Sequence, residues 1–145
     1  MLFSEAKKHK VVSSSSAATV GKVSSFLVDP VTRSVLAMRL KKTEDGHFLR
    51  WSDITAFGVD AVTVTGADKI GDGDDDVKEL SGKDHRVLGK RLLSSAGDEL
   101  GKVEDVDFDP ATGALVALLA GTETVVAAER LLGIGSYAVV VRDEP

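Results

Sequence analysis

The chain has 145 residues and no cysteine, and 43% of its residues are hydrophobic, which is enough for a packed core. Disulfides, thiolate metal sites and cysteine nucleophiles are therefore excluded. The net charge is −5 and unevenly spread: residues 1–65 carry nine Lys and Arg against six Asp and Glu, whereas residues 66–145 carry nine against seventeen. A duplex-binding protein usually presents a strongly basic face, so this balance disfavours nucleic-acid binding.

The amino-terminal residues, MLFSEAKKHKVV, lack the apolar segment of a signal peptide. No run in the chain approaches the roughly 18 consecutive apolar residues of a membrane-spanning helix. We therefore expect a cytoplasmic protein without a transmembrane segment, for which only peripheral association with a membrane complex stays open.

The first predicted strands belong to a repeat. Residues 21–33 read GKVSSFLVDPVTR, and residues 101–113 read GKVEDVDFDPATG. In both copies the alternation of apolar and polar residues slips by one residue at the same place, which predicts a β-bulge. Each strand then enters an Asp-Pro turn, whose left-handed position is Gly113 in the second copy. Arg33 stands at that position in the first copy, so we expect a positive φ there at a cost of about 1 kcal/mol.

The elements that follow also come in pairs. Strands are predicted at 35–40 and 115–120, at 47–51 and 124–127, and at 61–64 and 138–141. A short polar segment suited to one helical turn follows the strands at 47–51 and 124–127, and two short strands then close each copy, the last of them at 61–64 and 138–141. Many short strands with regular turns and few helices predict an all-β fold of small closed or nearly closed barrels.

The second copy contains, in this order, Gly-Lys-Val, a bulged strand, Asp-Pro-x-Thr-Gly, an apolar strand, a polar turn and Ile-Gly-x-x-Ala-Val-Val-Val. This order resembles the PRC-barrel family, named after the H subunit of the photosynthetic reaction centre and also found in the ribosome maturation factor. The likeness is strongest from Leu88 to Val141, and the first copy departs from it at Arg33. The resemblance implies two tandem PRC-like β-barrels, at residues 1–66 and 85–145, joined by an acidic linker at 67–84.

The third strand of each copy is apolar on both faces, although a barrel strand with one face in water should alternate. The positions assigned to the barrel interiors are Leu36, Met38, Leu40, Val116, Leu118 and Ala120. The outward positions, which are candidates for an interaction surface, are Val35, Ala37, Leu115, Ala117 and Leu119. Strands that are apolar on both sides are usually covered on both sides. The cover is then the sister barrel, a second copy of the chain or a different protein.

Trp51 is the only tryptophan and ends the fourth strand of the first copy. Large aromatic side chains usually fill the interior, so the favoured interpretation is that Trp51 closes a barrel end. The alternative is an exposed contact for a partner protein, because tryptophan is enriched at such positions.

The linker is acidic and has part of the spacing of a calcium loop, with weak candidate ligands at Asp72, Asp74, Asp76 and Glu79. Ile70 occupies a position where an EF-hand loop needs an oxygen ligand, and no amphipathic helix is predicted beside it. A solvated acidic linker is therefore favoured over weak binding of a divalent ion.

No nucleophile, base and orienting residue can be named together, so we predict no enzyme and no cofactor. The expected function is a non-catalytic protein–protein interaction or adaptor module of the PRC-barrel type, which binds a partner protein or forms a homo-oligomer. The resemblance implies this role, because the family's better understood barrels dock onto protein surfaces in larger complexes. Two alternatives stay open: an accessory protein of ribosome assembly or RNA processing, and a barrel that binds a small ligand or a metal.

Overall fold

The computed structural model describes residues 1–44, 46–82, 86–121 and 123–143. The helices are α1 (Phe3–Ala6) and α2 (Asp75–Gly82), with 3-10 turns at Trp51–Asp53, Ala67–Lys69 and Ala128–Arg130. The strands are β1 (Lys10–Ser13), β2 (Ala18–Asp29), β3 (Ser34–Lys41), β4 (Phe48–Arg50), β5 (Ala56–Phe57), β6 (Ala61–Val64), β7 (Arg91–Ser94), β8 (Glu99–Lys102), β9 (Asp105–Phe108), β10 (Leu115–Ala120), β11 (Thr124–Ala127), β12 (Leu131–Ile134) and β13 (Ala138–Val141). Among these residues no helix has both the length and the apolar character that crossing a membrane requires.

The fold is all-β and barrel-type, as predicted. The first half forms one sheet in the order β4-β3-β2-β1-β6-β5. The second half forms two sheets, β11-β10-β9 and β12-β13-β7-β8. If β8 and β9 are taken as one interrupted strand, the two halves have the same strand order. The predicted boundary between linker and second domain, at residues 84 and 85, lies outside the described residues.

The predicted bulge lies where the alternation slips. In β2 the pairing with β3 shifts between Val23 and Ser25. In the second half the strand stops at Lys102 and resumes at Asp105. A bulge bends a strand and increases its twist, which allows one long strand to take part in two sides of a curved sheet.

The two Asp-Pro turns also have the predicted geometry. The Asp29 carboxylate accepts a hydrogen bond from the amide of the second following residue, and Asp109 does the same. Gly113 has a φ of 81° and Arg33 a φ of 55°, so the expected positive φ at Arg33 is confirmed. The strained arginine has a compensating contact, because its Nε–H donates a hydrogen bond of 2.9 Å to the Leu131 carbonyl.

The two halves share one hydrophobic core instead of forming a separate core each. Its centre is a group of aromatic rings, which we call the aromatic cluster: Phe3, Trp51, Phe26, Phe57 and Phe108. Phe108, from the second half, has its ring centroid 5.5 Å from both Phe26 and Phe57 of the first half. The small size of each half gives the reason, since about 65 residues bury too little apolar surface to be stable without further packing.

Reciprocal backbone hydrogen bonds join the halves at the two Asp-Pro turns. The Val35 amide donates to the Gly113 carbonyl at 2.8 Å, and the Leu115 amide donates to the Arg33 carbonyl at 2.9 Å. Equivalent residues therefore exchange equivalent contacts, as in a two-fold symmetric dimer. The sequence likeness of residues 21–33 and 101–113 thus coincides with matching contacts in the fold.

Candidate interaction surface

At the start of β3, the residue that faces outward differs by one position from the prediction. Val35 is 3% exposed and belongs to the shared core, whereas Leu36 lies on the outer face beside Ala37. The assignment of Val35 outward and Leu36 inward is wrong. The pairing of β2 with β3 shifts at this place, and such a shift changes the face on which the following residues lie. From Met38 onward the predicted faces are correct.

The same error occurs in the second half. Leu115, expected to face outward, is 8% exposed and lies in the core. Val116, expected to face inward, is 52% exposed. The pairing of β10 with β9 shifts between Leu115 and Ala117, at the position equivalent to the shift in β3. Ala117 and Leu119 lie outside the core, with Ala117 largely buried and Leu119 half-buried.

Helix α2 covers the outer face of the first half. Its Val77 is fully buried against Leu27 and Ala37, and Leu36 and Phe48 pack around the same cluster. The segment predicted to be a solvated acidic linker thus contains a packed helix. The helix leaves no periodic pattern in the sequence by which it could be predicted, because it has a single buried apolar residue.

An ion pair holds the start of α2 in place. Arg50 Nη1 lies 2.8 Å from Asp76 Oδ1 and 3.2 Å from Asp74 Oδ2. The hydrogen bond from Arg50 lowers the pKa of Asp76 below its ordinary value, and the same bond raises the pKa of Arg50. Both side chains of the pair are therefore charged at neutral pH.

This ion pair bears on the calcium candidates. The carboxylates of Asp74 and Asp76 face the Arg50 guanidinium, and Asp76 and Glu79 lie within α2 instead of in a calcium-binding loop. In the described part of the chain, no group of three or more His, Asp or Glu side chains is arranged to hold a metal ion. The four candidates, Asp72, Asp74, Asp76 and Glu79, therefore do not form a group of this kind.

Replacing Val77 by Ala should loosen α2 without unfolding the protein. The change removes two buried methyl groups, which contribute roughly 2 kcal/mol to the packing of the helix. Hydrogen exchange of the α2 amides, measured by mass spectrometry, should accelerate while exchange in β2 and β3 stays slow. Val31→Ala is the matched control, because Val31 is 85% exposed. Unchanged exchange of α2 in the Val77 variant would show that this contact does not hold the helix.

Trp51 packs at the junction of the two halves. It is half-buried, its ring is stacked on Phe57 at a centroid distance of 5.6 Å, and it meets the edge of Phe108 at 6.2 Å. Its indole also lies against Gly113, where a Cβ would come within 2.8 Å of Trp51 Cε2. The tryptophan thus contacts the second half of its own chain, which fits the prediction that it closes a barrel end better than the prediction of a partner contact.

The equivalent outer face of the second half is partly exposed: two of its valines lie mostly in water, whereas Ala117 is buried. Leu119 is paired with Val125 and Ala117 with Ala127, so these side chains lie on one side of the sheet. Val125 is 63% exposed, and Val116 beside Ala117 is 52% exposed. We call this surface the β10–β11 face: Val116, Ala117, Leu119, Val125 and Ala127.

The β9 edge of this face is acidic and already has partners. The Asp107 carboxylate lies 3.0 Å from the amino-terminal amine, and Asp105 accepts hydrogen bonds from the backbone and the hydroxyl of Ser4. Val125 is not among the surface residues predicted from the sequence. The signal was present, since Val125 and Val126 are consecutive and only one of them can face the core.

The fold and this face define a class, that of a small β-barrel module with an exposed apolar sheet surface. A PRC-barrel domain is found at residues 82–143, where the model of that family matches the chain. The match confirms the resemblance for the second half, and residues 1–81 lie outside it. Among curated proteins no relative of the chain was found.

Proposed function

We propose that the protein is a non-catalytic adaptor built from two PRC-type barrels, and that the β10–β11 face binds a partner protein. The identical strand order of the two halves supports counting the first half as a second copy. The matching Asp-Pro turns, each with a residue of positive φ, support it as well.

One observation carries the proposal: this face is covered by α2 in the first half, whereas two of its valines are exposed in the second half. In the first half, Val77 of α2 fills the space between Leu27 and Ala37. In the second half, Val116 and Val125 are exposed beside Ala117, Leu119 and Ala127. Exposed apolar surface on a sheet is costly in water, and in native proteins it commonly marks a contact with another molecule.

The cover of the first half indicates what the second half binds. Arg50 is paired with Ala37, and Ala127 is paired with Ala117, so Ala127 occupies the place of the arginine that holds acidic α2. The second half is also strongly acidic in total. We therefore expect a short helix of the partner on the β10–β11 face. Like α2, this helix would present an aliphatic side chain, but it would carry basic residues where α2 is acidic.

Replacing Val116 and Val125 together by Glu should remove partner binding and leave the fold intact. Both side chains are mostly in water, so stability should change by less than about 1 kcal/mol. Two charges buried at the centre of an apolar contact should weaken binding at least tenfold. The measurement is capture of partners by the tagged chain, followed by titration of the recovered partner by calorimetry.

The control replaces Val31 and Leu132 by Glu, since these residues are 85% and 50% exposed and lie outside the β10–β11 face. It should bind like the wild type. Equal binding by all three proteins would place the contact elsewhere. Sedimentation equilibrium of the same proteins tests for a homo-oligomer, which would dissociate in the face variant alone.

The alternative role in ribosome assembly has one supporting observation, the three lysines Lys10, Lys22 and Lys41 that are paired on adjacent strands of the first half. It requires co-sedimentation with ribosomes that falls steeply as salt is raised. Co-sedimentation that depends on these lysines and not on Val116 and Val125 would replace the adaptor proposal.

A further inference from the structure

Three lysines lie side by side on the first half, one on each of three neighbouring strands. Lys10 is paired with Lys22, and Lys22 is paired with Lys41. Paired residues on adjacent strands point to the same side of a sheet, about 4.8 Å apart in the hydrogen-bonding direction. The next residue of β1 and of β2, Val11 and Val23, lies in the core, so the lysines point outward. We call these three residues the lysine row.

The lysine row is electrostatically unfavourable in the free protein. The pKa of Lys22 is lowered, first by the charge of Lys42, then by partial burial, and further by Lys41, Lys8 and Lys10. Within the described parts of the chain, no ion pair neutralises these five lysines. Like charges placed opposite each other on adjacent strands destabilise a sheet, so a bound polyanion would remove a real cost.

Two of the flanking lysines are also held in a strained backbone. Lys8 has a φ of 82° and Lys42 a φ of 58°, a region that residues other than glycine seldom occupy. Such strain persists only where the surrounding structure imposes it, and it is often found at binding sites. Here it occurs at both ends of one cationic surface.

The second half shows that the fold does not require this arrangement. At the position equivalent to the pair of Lys10 and Lys22, Arg91 is paired with Lys102. Arg91 is neutralised, because its Nε lies 3.0 Å from Glu99 Oε1, and its guanidinium lies 4.8 Å from the centroid of the Tyr137 ring. Strand β10 ends at Ala120, so it does not continue the row with a third cation. The unneutralised row is thus a property of the first half alone.

An exposed apolar residue lies beside the row. Val59 is 80% exposed at the tip of the turn between β5 and β6. The turn is adjacent to the row, because Ala61 at its end is paired with Lys10 and His9 Nε2 lies 3.2 Å from the Gly58 carbonyl. The same turn contains Asp60, but its one negative charge is smaller than the five positive charges of the lysines, so the surface stays positive.

We propose that the lysine row, with Lys8, Lys42 and Val59, binds the phosphate-bearing headgroups of an anionic membrane surface. Lysines attract such headgroups, and an apolar tip inserts at the boundary of the acyl chains. Single-stranded nucleic acid is the less suitable ligand, because its binding sites add exposed aromatic rings for base stacking and the row itself consists of lysines. This proposal is independent of the adaptor function.

The test measures partition of the protein onto vesicles of phosphatidylcholine, with and without phosphatidylserine. The wild type should bind only the anionic vesicles, and binding should fall as salt is raised. The double variant Lys10→Gln and Lys41→Gln should partition roughly thirtyfold more weakly, since each basic residue near an anionic surface contributes about a factor of five. It should fold normally, because the change relieves repulsion, and circular dichroism verifies this. Val59→Ser should weaken vesicle binding by a smaller factor.

The matched control is Arg91→Gln with Lys102→Gln, which removes two positive charges from the equivalent positions of the second half. It should bind anionic vesicles like the wild type. Equal weakening in both double variants would mean that only total charge matters, and it would overturn the site. Inorganic polyphosphate and single-stranded RNA serve as alternative ligands. Binding to either of them that is tighter than to anionic vesicles and unaffected by Val59→Ser would overturn the lipid assignment, as would no binding to vesicles.

Discussion

Replacing Phe108 by Ala should lower the free energy of unfolding by about 3–5 kcal/mol, the usual cost of removing a fully buried phenylalanine. The residue is 1% exposed. Its ring contacts four other aromatic rings, all of them in the first half: Phe3, Phe26, Trp51 and Phe57. The cavity would therefore weaken the second half and its contact with the first half together.

Urea denaturation measures this effect through two signals. Trp51 fluorescence reports on the junction, and far-ultraviolet circular dichroism reports on the strands of both halves. Because the core is shared, both signals should move together to lower urea in the Phe108 variant and retain one transition. Tyr137→Ala is the control; its side chain is 67% exposed, and its loss should cost less than about 1 kcal/mol. Two separate transitions in the wild type would contradict a shared core.

Gly113→Ala should be the second most damaging change, with a loss of about 3 kcal/mol. One part is backbone strain of about 1–2 kcal/mol, because the φ of Gly113 is 81°. The other part is overpacking of about 1–3 kcal/mol, because the new Cβ would lie 2.8 Å from Trp51 Cε2 and the ring cannot move without disturbing Phe57.

Gly97→Ala separates these two contributions. Gly97 has a φ of 91°, and a Cβ added there would have no heavy atom of the described residues within 4 Å, so only the strain applies. The Gly113 variant should be less stable than the Gly97 variant by at least about 1 kcal/mol in the same urea titration. Its tryptophan emission should also shift, since Trp51 has to move. Equal losses in the two variants would show that Trp51 does not restrict this position.

The strained arginine and the glycine at equivalent positions have different roles. Gly113 makes room for Trp51 of the first half, whereas Arg33 reaches the Leu131 carbonyl of the second half. The pseudo-symmetry of the fold is therefore broken at the junction by two residue choices. This difference follows from the larger Trp51 in the first half, where the second half has Ala128.

The candidate surface was predictable only in part. That the third strand of each half is apolar on both sides was visible in the sequence, and Ala37, Ala117 and Leu119 were placed on the correct side. Val35 and Leu115 were not, because an extra residue in the strand reverses the faces and no local residue pattern marks its position. The sequence also did not show that the outer face of the first half is covered. The covering helix contributes one buried valine, Val77, and one residue makes no periodic pattern.

The sequence alone determined the local features: the repeat, the all-β fold, the two Asp-Pro turns and the positive φ of Arg33. These depend on periodicity and on backbone preferences within a few residues, which short segments carry by themselves. Tertiary structure alone decided the shared aromatic cluster, the cover over Ala37 and the alignment of the lysine row. Each of these brings together residues from separate segments, and their contacts follow from packing and from the register of strands, which the local pattern does not specify.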